Sequence, residues 1–156
     1  MIRVFEPKIY FKDKLAIFSA LNKNNISGSS SEIAKFESSL SEYFDRSFVA
    51  TLSNGSVALE VALKSLNLEI DDEVIIPSFT IISCLSAVVR SGGKPVFCDV
   101  DRLSWNMTLN DIKKVKTSKT KAIVMVHTYG LVAEAENIEK YCNENDIYLI
   151  EDSAEA

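Results

Sequence analysis

Four short runs of nearly continuous apolar character constrain this chain more than anything else in it. They are Glu73-Val74-Ile75-Ile76-Pro77, Lys94-Pro95-Val96-Phe97-Cys98-Asp99-Val100, Lys121 to Val126, and Ile147-Tyr148-Leu149-Ile150. A strand with one face in water alternates apolar and polar residues, whereas a strand buried on both faces does not. Segments with helical spacing separate the runs. Ser78 to Arg90 carries Ile81, Ile82, Leu85, Val88 and Val89 and ends at Gly92-Gly93, which predicts a largely buried helix. Thr108 with Asp111 opens a short helix through Val115, and Glu134 to Asn145 sets Ile138, Tyr141 and Cys142 on one face. Alternation of this kind calls for a parallel sheet with helices on both faces, an α/β fold.

Upstream, Phe48-Val49-Ala50 predicts a further short buried strand over 48–51. A turn of small polar residues, Ser53-Asn54-Gly55-Ser56, then leads into a helix reaching Leu66, with Leu59, Ala62, Leu63 and Leu66 as its apolar positions. Ser29 and Glu32 have the spacing of a capping box, ahead of Ile33, Phe36, Leu40 and Phe44 on one helical face. Residues 1–28 have weak periodicity and read as an N-terminal arm, with a turn at Ser27-Gly28-Ser29.

At 156 residues the chain is one domain's worth of sequence. A net charge of −5 argues against a nucleic-acid or anionic-membrane partner, and no apolar run is long enough to span a bilayer. Met1 to Asp13 has no leader-like apolar stretch, so a cytoplasmic protein is expected. Cys84, Cys98 and Cys142 lie far apart within apolar segments, which suits buried, reduced thiols. The single histidine, His127, excludes a His-rich metal site, and Asp99 and Asp101 read as strand-end acids, so no metal is expected.

In sheets of this type ligands bind beyond the carboxyl ends of the strands. Those ends carry Asn54-Gly55-Ser56, Ser78-Phe79-Thr80, Asp99-Val100-Asp101, His127-Thr128-Tyr129-Gly130 and Glu151-Asp152. None of the five glycines has dinucleotide spacing, and a Gly-Lys-Ser/Thr loop and a G-x-S-x-G elbow are absent. Pyridoxal phosphate suits the rim better. It needs an anion cradle, a carboxylate on its ring nitrogen, a covering face and a lysine. The turn at 54–56 reads either as a plain helix cap or as that cradle, and Asp152 either as a loop acid or as that carboxylate. His127 reads either as a residue that positions its loop or as a base.

Several blocks, in order, resemble the DegT/DnrJ/EryC1/StrS nucleotide-sugar aminotransferases, which have the aspartate-aminotransferase fold. Ile26-Ser27-Gly28 with Phe36-Glu37 is similar to the family's N-terminal segment. Ser53 to Leu59 resembles its Ser-Gly-Thr-Ala-Ala-Leu turn, and Asp71 to Thr80 its Gly-Asp-Glu-Val-Ile-Val-Pro-Ser-x-Thr run. Gly93-x-Pro95-Val96-Phe97-x-Asp99-Val100-Asp101, Asn106, Lys121-Ala122-Ile123, His127-x-Tyr129-Gly130 and Ile150-Glu151-Asp152-Ser153-Ala154-Glu155-Ala156 complete the likeness.

The resemblance implies part of a fold-type-I large domain over 29–156, behind the arm, in a PLP-dependent enzyme. Such an enzyme moves an amino group from an amino acid, typically glutamate, to a keto-sugar nucleotide, and is generally a homodimer. It implies that Gly55 and Ser56 hold the cofactor phosphate, that Asp152 meets the ring nitrogen, and that Ile81 and Glu155 lie against the ring. Ser27, Gly28, His127 and Tyr129 fall on the substrate side. Ile81 stands where the family generally has a stacking aromatic, Glu155 where it usually has Gln, Ser86 in place of a frequent Asn and Thr128 in place of a frequent Leu. The family's Schiff-base lysine lies beyond the Glu-Asp motif, and no lysine here matches it, so the chain is expected to be a truncated portion, inactive alone. Two other readings stay open: a non-catalytic cofactor or sugar-nucleotide binder that could act as a dimerisation partner, and a sugar dehydratase.

Overall fold

A computed structural model describes residues 6–156; the first five residues of the expected arm lie outside the described ones. The chain forms two compact units, one up to Thr51 and one from Leu52 onward. The first holds α1 (Phe11–Asn22) and α2 (Ser31–Phe44), neither of which has a fully buried residue. The capping box expected at Ser29 and Glu32 does not form. Ser30, one residue later, is the N-cap and makes no side-chain cap, which puts Glu32 out of capping-box register with Ser29, and its Oε1 accepts from Lys35 Nζ at 3.1 Å. Nor is there a strand at 48–51. Phe48 is 94% exposed, and the Thr51 amide and hydroxyl both donate to Glu37 Oε1 at 2.8 Å. A strand needs a ladder partner for its amides. Here a carboxylate from α2 has taken that place.

The second unit begins with α3 (Gly55–Ser65). The sheet follows: β1 (Glu73–Pro77), α4 (Ile82–Arg90), β2 (Lys94–Cys98), α5 (Leu109–Val115), β3 (Thr120–Val126), α6 (Ala135–Glu144) and β4 (Tyr148–Asp152). All pairings are parallel, in the spatial order β2-β1-β3-β4. Neighbouring side chains of each strand point to opposite faces. Val74, Ile76, Ala122 and Val124 therefore meet Leu59, Leu63, Cys84, Ala87 and Val88 of α3 and α4. Ile75, Ile123 and Met125 meet Ile112 of α5 and Ile138 and Cys142 of α6. The two apolar layers confirm the α/β fold and explain the continuous runs of the central strands.

The start of α4 and the end of β4 differ from the sequence reading for physical reasons. Ser78 N–H still donates to Cys98 O at 2.8 Å, which holds the chain extended past β1 and delays α4 until Ile82. The expected burial of that segment is partial, since Ile81 and Ile82 are 64% and 68% exposed. At the other edge β4 runs on to Asp152, in register with Val126, so Asp152 ends the strand instead of following it.

The amino ends of the strands close with paired charges. Glu73 is buried, and the Thr117 hydroxyl and the Lys94 ammonium, 3.2 Å away, hold its carboxyl below its usual value. Ile123 lies at the middle of the sheet with no exposed surface. Ile123→Ala is expected to cost about 2–5 kcal/mol of stability from lost transfer energy and the cavity left behind. Urea unfolding of the two chains measures it.

Candidate functional site

The crossovers leave β1 in one direction, through α4 to β2, and β3 in the other, through α6 to β4. With right-handed connections, opposite directions place the helices on opposite faces, as found. Between the carboxyl ends of β1 and β3 the connections diverge, and sheets of this kind open a crevice at that point. A cavity of about 350 Å³ lies there. Phe79 to Ile81 come from the end of β1, Val126 to Tyr129 from the end of β3, and Asp152, Ala154 and Glu155 from the end of β4.

Asp152 supplies the charge. Its Oδ1 accepts from the Ala154 amide at 3.1 Å and its Oδ2 from the Cys84 thiol at 3.7 Å, leaving acceptor capacity on a half-buried carboxylate. His127 also lines the cavity but is only 4% exposed. Its Nδ1 accepts from the Ala133 amide at 3.2 Å, which places the imidazole proton on Nε2, facing Glu151 Oε2 at 3.4 Å. Both ring nitrogens are thus engaged within the chain. His127 holds its loop.

An aromatic cluster borders the cavity through Phe79 and Tyr129, and part of its backbone is forced. Tyr129 has φ 52° and Trp105 φ 61°, left-handed values that cost non-glycine residues roughly 1–2 kcal/mol each. Asn106, 2% exposed, fastens both segments: its Oδ1 accepts from the Thr128 amide at 2.9 Å and its Nδ2 donates to Leu131 O at 2.6 Å. Asp101 Oδ1 accepts the Leu103 and Ser104 amides at 3.0 and 2.8 Å, and the Trp105 amide donates to Asp101 O at 2.8 Å. Glu155 Oε2 accepts the Tyr129 amide at 2.7 Å. Gly130 follows with φ 81°, where an added Cβ would stand 2.9 Å from Glu155 O. These clamps bring Phe79 and Trp105 edge to face at 4.7 Å between centroids, with Tyr129 6.4 Å from each. Sequence reasoning had matched Asn106 without a role and did not join the three rings. An Asn flanked by Trp105 and Met107 is the only local sign of a buried polar clamp.

Gly55 and Ser56 sit at the start of α3, outside the cavity lining. Asn54 Oδ1 caps the Val57 amide at 3.0 Å, which leaves the Gly55 and Ser56 amides as the unspent donors of the first turn. The Ser56 hydroxyl lies 2.7 Å from that of Ser83 in the first turn of α4, next to Ile81. A Cβ on Gly55 would meet nothing of this chain within 4 Å. Ser27 and Gly28 form a local turn in the first unit, where Ser27 Oγ accepts from the Ser29 amide at 3.2 Å. The three cysteines are free and buried. Burial pushes the Cys98 thiol up to about 12 and the Cys142 thiol up to about 11, so neither is a nucleophile at neutral pH.

Two outcomes follow from the clamps. Asn106→Ala would leave the Thr128 amide and Leu131 carbonyl unpartnered, costing about 1–3 kcal/mol for each group that stays dry. Urea unfolding and the emission of the single tryptophan, Trp105, report that loss. Donation from the Ser104 and Leu103 amides holds the Asp101 carboxyl below its ordinary 3.8. Its contribution is therefore complete above that pH and disappears as the pH falls through the lower, folded-state value. Trp105 emission is expected to change over that acid range in the parent chain, and the change is expected to be absent in Asp101→Asn.

A sequence profile of the DegT/DnrJ/EryC1/StrS aminotransferase family matches residues 9–156. The chain is 37% identical over 155 residues to GDP-perosamine synthase of Escherichia coli O157:H7, covering 99% of this chain and 43% of that protein. An aminotransferase from Psychrobacter cryohalolentis superposes with a TM-score of 0.91 at 35% identity, over 96% of this chain and 38% of the other. NtdA of Bacillus subtilis, with the cofactor PMP bound, superposes with a TM-score of 0.83 at 29% identity, over 92% and 34% respectively. The chain thus spans about two fifths of the length of the relatives it matches. It belongs to the DegT/DnrJ/EryC1/StrS aminotransferase family.

Proposed function

We propose that this chain forms the cofactor-holding portion of a pyridoxal-phosphate aminotransferase that aminates a nucleotide-linked keto-sugar, with an amino acid, glutamate first, as donor. The observation that carries the reading is Asp152: a carboxylate at the topological switch point, held by one amide and one thiol and otherwise open to the cavity. The residues present suit the cofactor. When bound, it acts as an electron sink at the carbon that gains or loses the amino group, provided its ring nitrogen stays protonated. Asp152 would hold the proton on that nitrogen by charge pairing. The free amides of Gly55 and Ser56 and the positive end of α3 would hold the phosphate, and the open space at Gly55 allows an anion to approach.

Ile81, extended at the N-cap of α4, would cover the ring by apolar contact without the aromatic stacking gain. Glu155 would lie beside the ring with part of its charge offset by the Tyr129 amide. His127 and Tyr129 would shape the substrate side, with Ser27 and Gly28 contributed by the arm (residues 1–28) of a homodimer. Given the name of the 37% identical relative, a GDP-linked sugar is the first candidate substrate. Among the described residues no helix is long and apolar enough to cross a membrane, and the three free thiols suit a reducing cytoplasm.

The cavity lining holds no lysine among the described residues, which favours non-covalent cofactor binding by this chain alone. Titration with pyridoxal phosphate, followed by absorbance and by quenching of Trp105, is expected to show saturable binding. Asp152→Asn is expected to weaken it about tenfold or more, a loss near 1.4 kcal/mol. Equal affinity for the two chains would overturn the reading. Borohydride is expected to trap no stoichiometric adduct, and a stable trapped adduct would refute the non-covalent mode.

A further inference from the structure

One of the two groups that hold Asp152 is a buried thiol. Cys84 lies in the first turn of α4, fully buried, yet it is not packed as a simple apolar side chain. Its Sγ is 3.3 Å from the Thr80 hydroxyl on one side and 3.7 Å from Asp152 Oδ2 on the other. Thr80 and Asp152 both line the cavity, so the thiol bridges the β1 and β4 sides of it from below.

We infer that Cys84 is a positioning residue for Asp152: its S–H orients Oδ2 so that the carboxylate faces the ring nitrogen of the bound cofactor. The inference rests on the cofactor reading above. Burial first, and the Asp152 charge after it, push the Cys84 thiol up, so the sulfur keeps its proton and has that proton to donate. The polarity of the chain is then fixed. Thr80 O–H donates to Sγ, and S–H donates to Oδ2, while the Ala154 amide holds Oδ1. Two donors on two oxygens fix the carboxylate plane.

The choice of sulfur has a consequence. A thiol is a weak donor, so it steers the carboxylate without drawing off much of its charge, and Oδ2 keeps a lone pair for a stronger donor. A hydroxyl at position 84 would donate more strongly but reach less far. An apolar side chain would leave the rotamer of Asp152 to the Ala154 amide alone.

The test uses the chain as it stands with two probes, pyridoxal phosphate and 4′-deoxypyridoxine phosphate, which lacks the aldehyde and cannot link to any amine. Dissociation constants and the ultraviolet titration of the bound analogue's ring nitrogen are measured for the parent chain, Cys84→Val, Cys84→Ala, Cys84→Ser and Asp152→Asn. Thermal unfolding is recorded for each. Loss of the thiol donor in the Val and Ala variants is expected to weaken both probes about 3–10-fold. It is also expected to move the ring-nitrogen titration of the bound analogue to lower pH, with Ser, whose hydroxyl reaches less far than the thiol, falling between the Ala variant and the parent. The Ala variant carries the test if the extra methyl of Val impairs folding. Folded Val or Ala variants that match the parent in affinity and in ring titration, while Asp152→Asn loses both, overturn the role of Cys84 and leave the cofactor reading standing. If the parent chain binds neither probe, or Asp152→Asn binds as the parent does, the cofactor reading fails and the role of Cys84 fails with it.

Discussion

Burial of the sheet on both faces is the constraint from which the rest of the second unit follows. Once Ile75 and Ile123 face one helical layer and Val74, Ile76 and Val124 the other, the strands have no room for charge along their length. Polar chemistry is driven to the strand ends, and the two ends are treated differently. At the amino ends Glu73 is closed off by Lys94 and Thr117. At the carboxyl ends Asp152 is tied down by only one amide and a thiol. A salt bridge that satisfies its carboxylate uses up the charge, whereas a carboxylate held by weak or single donors keeps it available. The asymmetry favours a binding role at one rim and a structural role at the other.

The cavity wall shows a second cost being met. Left-handed conformations at Tyr129 and Trp105 work against the fold by themselves. They persist because buried or charge-assisted acceptors capture the amides of those turns: Asn106 takes Thr128, Asp101 takes Leu103 and Ser104, and Glu155 takes Tyr129. Strain is held by hydrogen bonds at each point where it occurs. The product is a fixed arrangement of three rings beside a charged floor.

What could be read in the sequence divides along the same line. β1, β3 and the helices between them were legible because two-sided burial leaves a local mark, a continuous apolar run followed by helical spacing. Thr108 was legible as a cap because capping is a contact three residues long, and its hydroxyl does accept the Asp111 amide at 3.2 Å. Phe48 to Ala50 carried a similar apolar mark without a partner strand, and nothing local distinguishes a run that pairs from one that does not. The acid of the cavity was legible at Asp152, because it stands at the carboxyl end of the last apolar run. Its geometry was not: Asn106 acts across 22 residues on Thr128, Glu155 across 26 on Tyr129, and Cys84 across 68 on Asp152. Such contacts exist only after the sheet has brought the strand ends together.

The second acid of the cavity, Glu155, is held by a contact of its own. Glu155 lines the same cavity as Asp152, and like charges at close range disfavour each other. Here the carboxylate accepts a 2.7 Å bond from the Tyr129 amide, and that amide faces it because Tyr129 is left-handed. Strain in the wall and the charge at 155 therefore offset one another, since each removes part of the cost of the other. Glu155 stands three residues beyond Asp152 on the same strand end, so the floor and the wall of the cavity are set by one short segment. The position of that segment is fixed in turn by the pairing of Asp152 with Val126 and the bond from the His127 amide to Asp152 O. The register of β4 on β3 thus controls both the charge in the cavity and the cavity's shape.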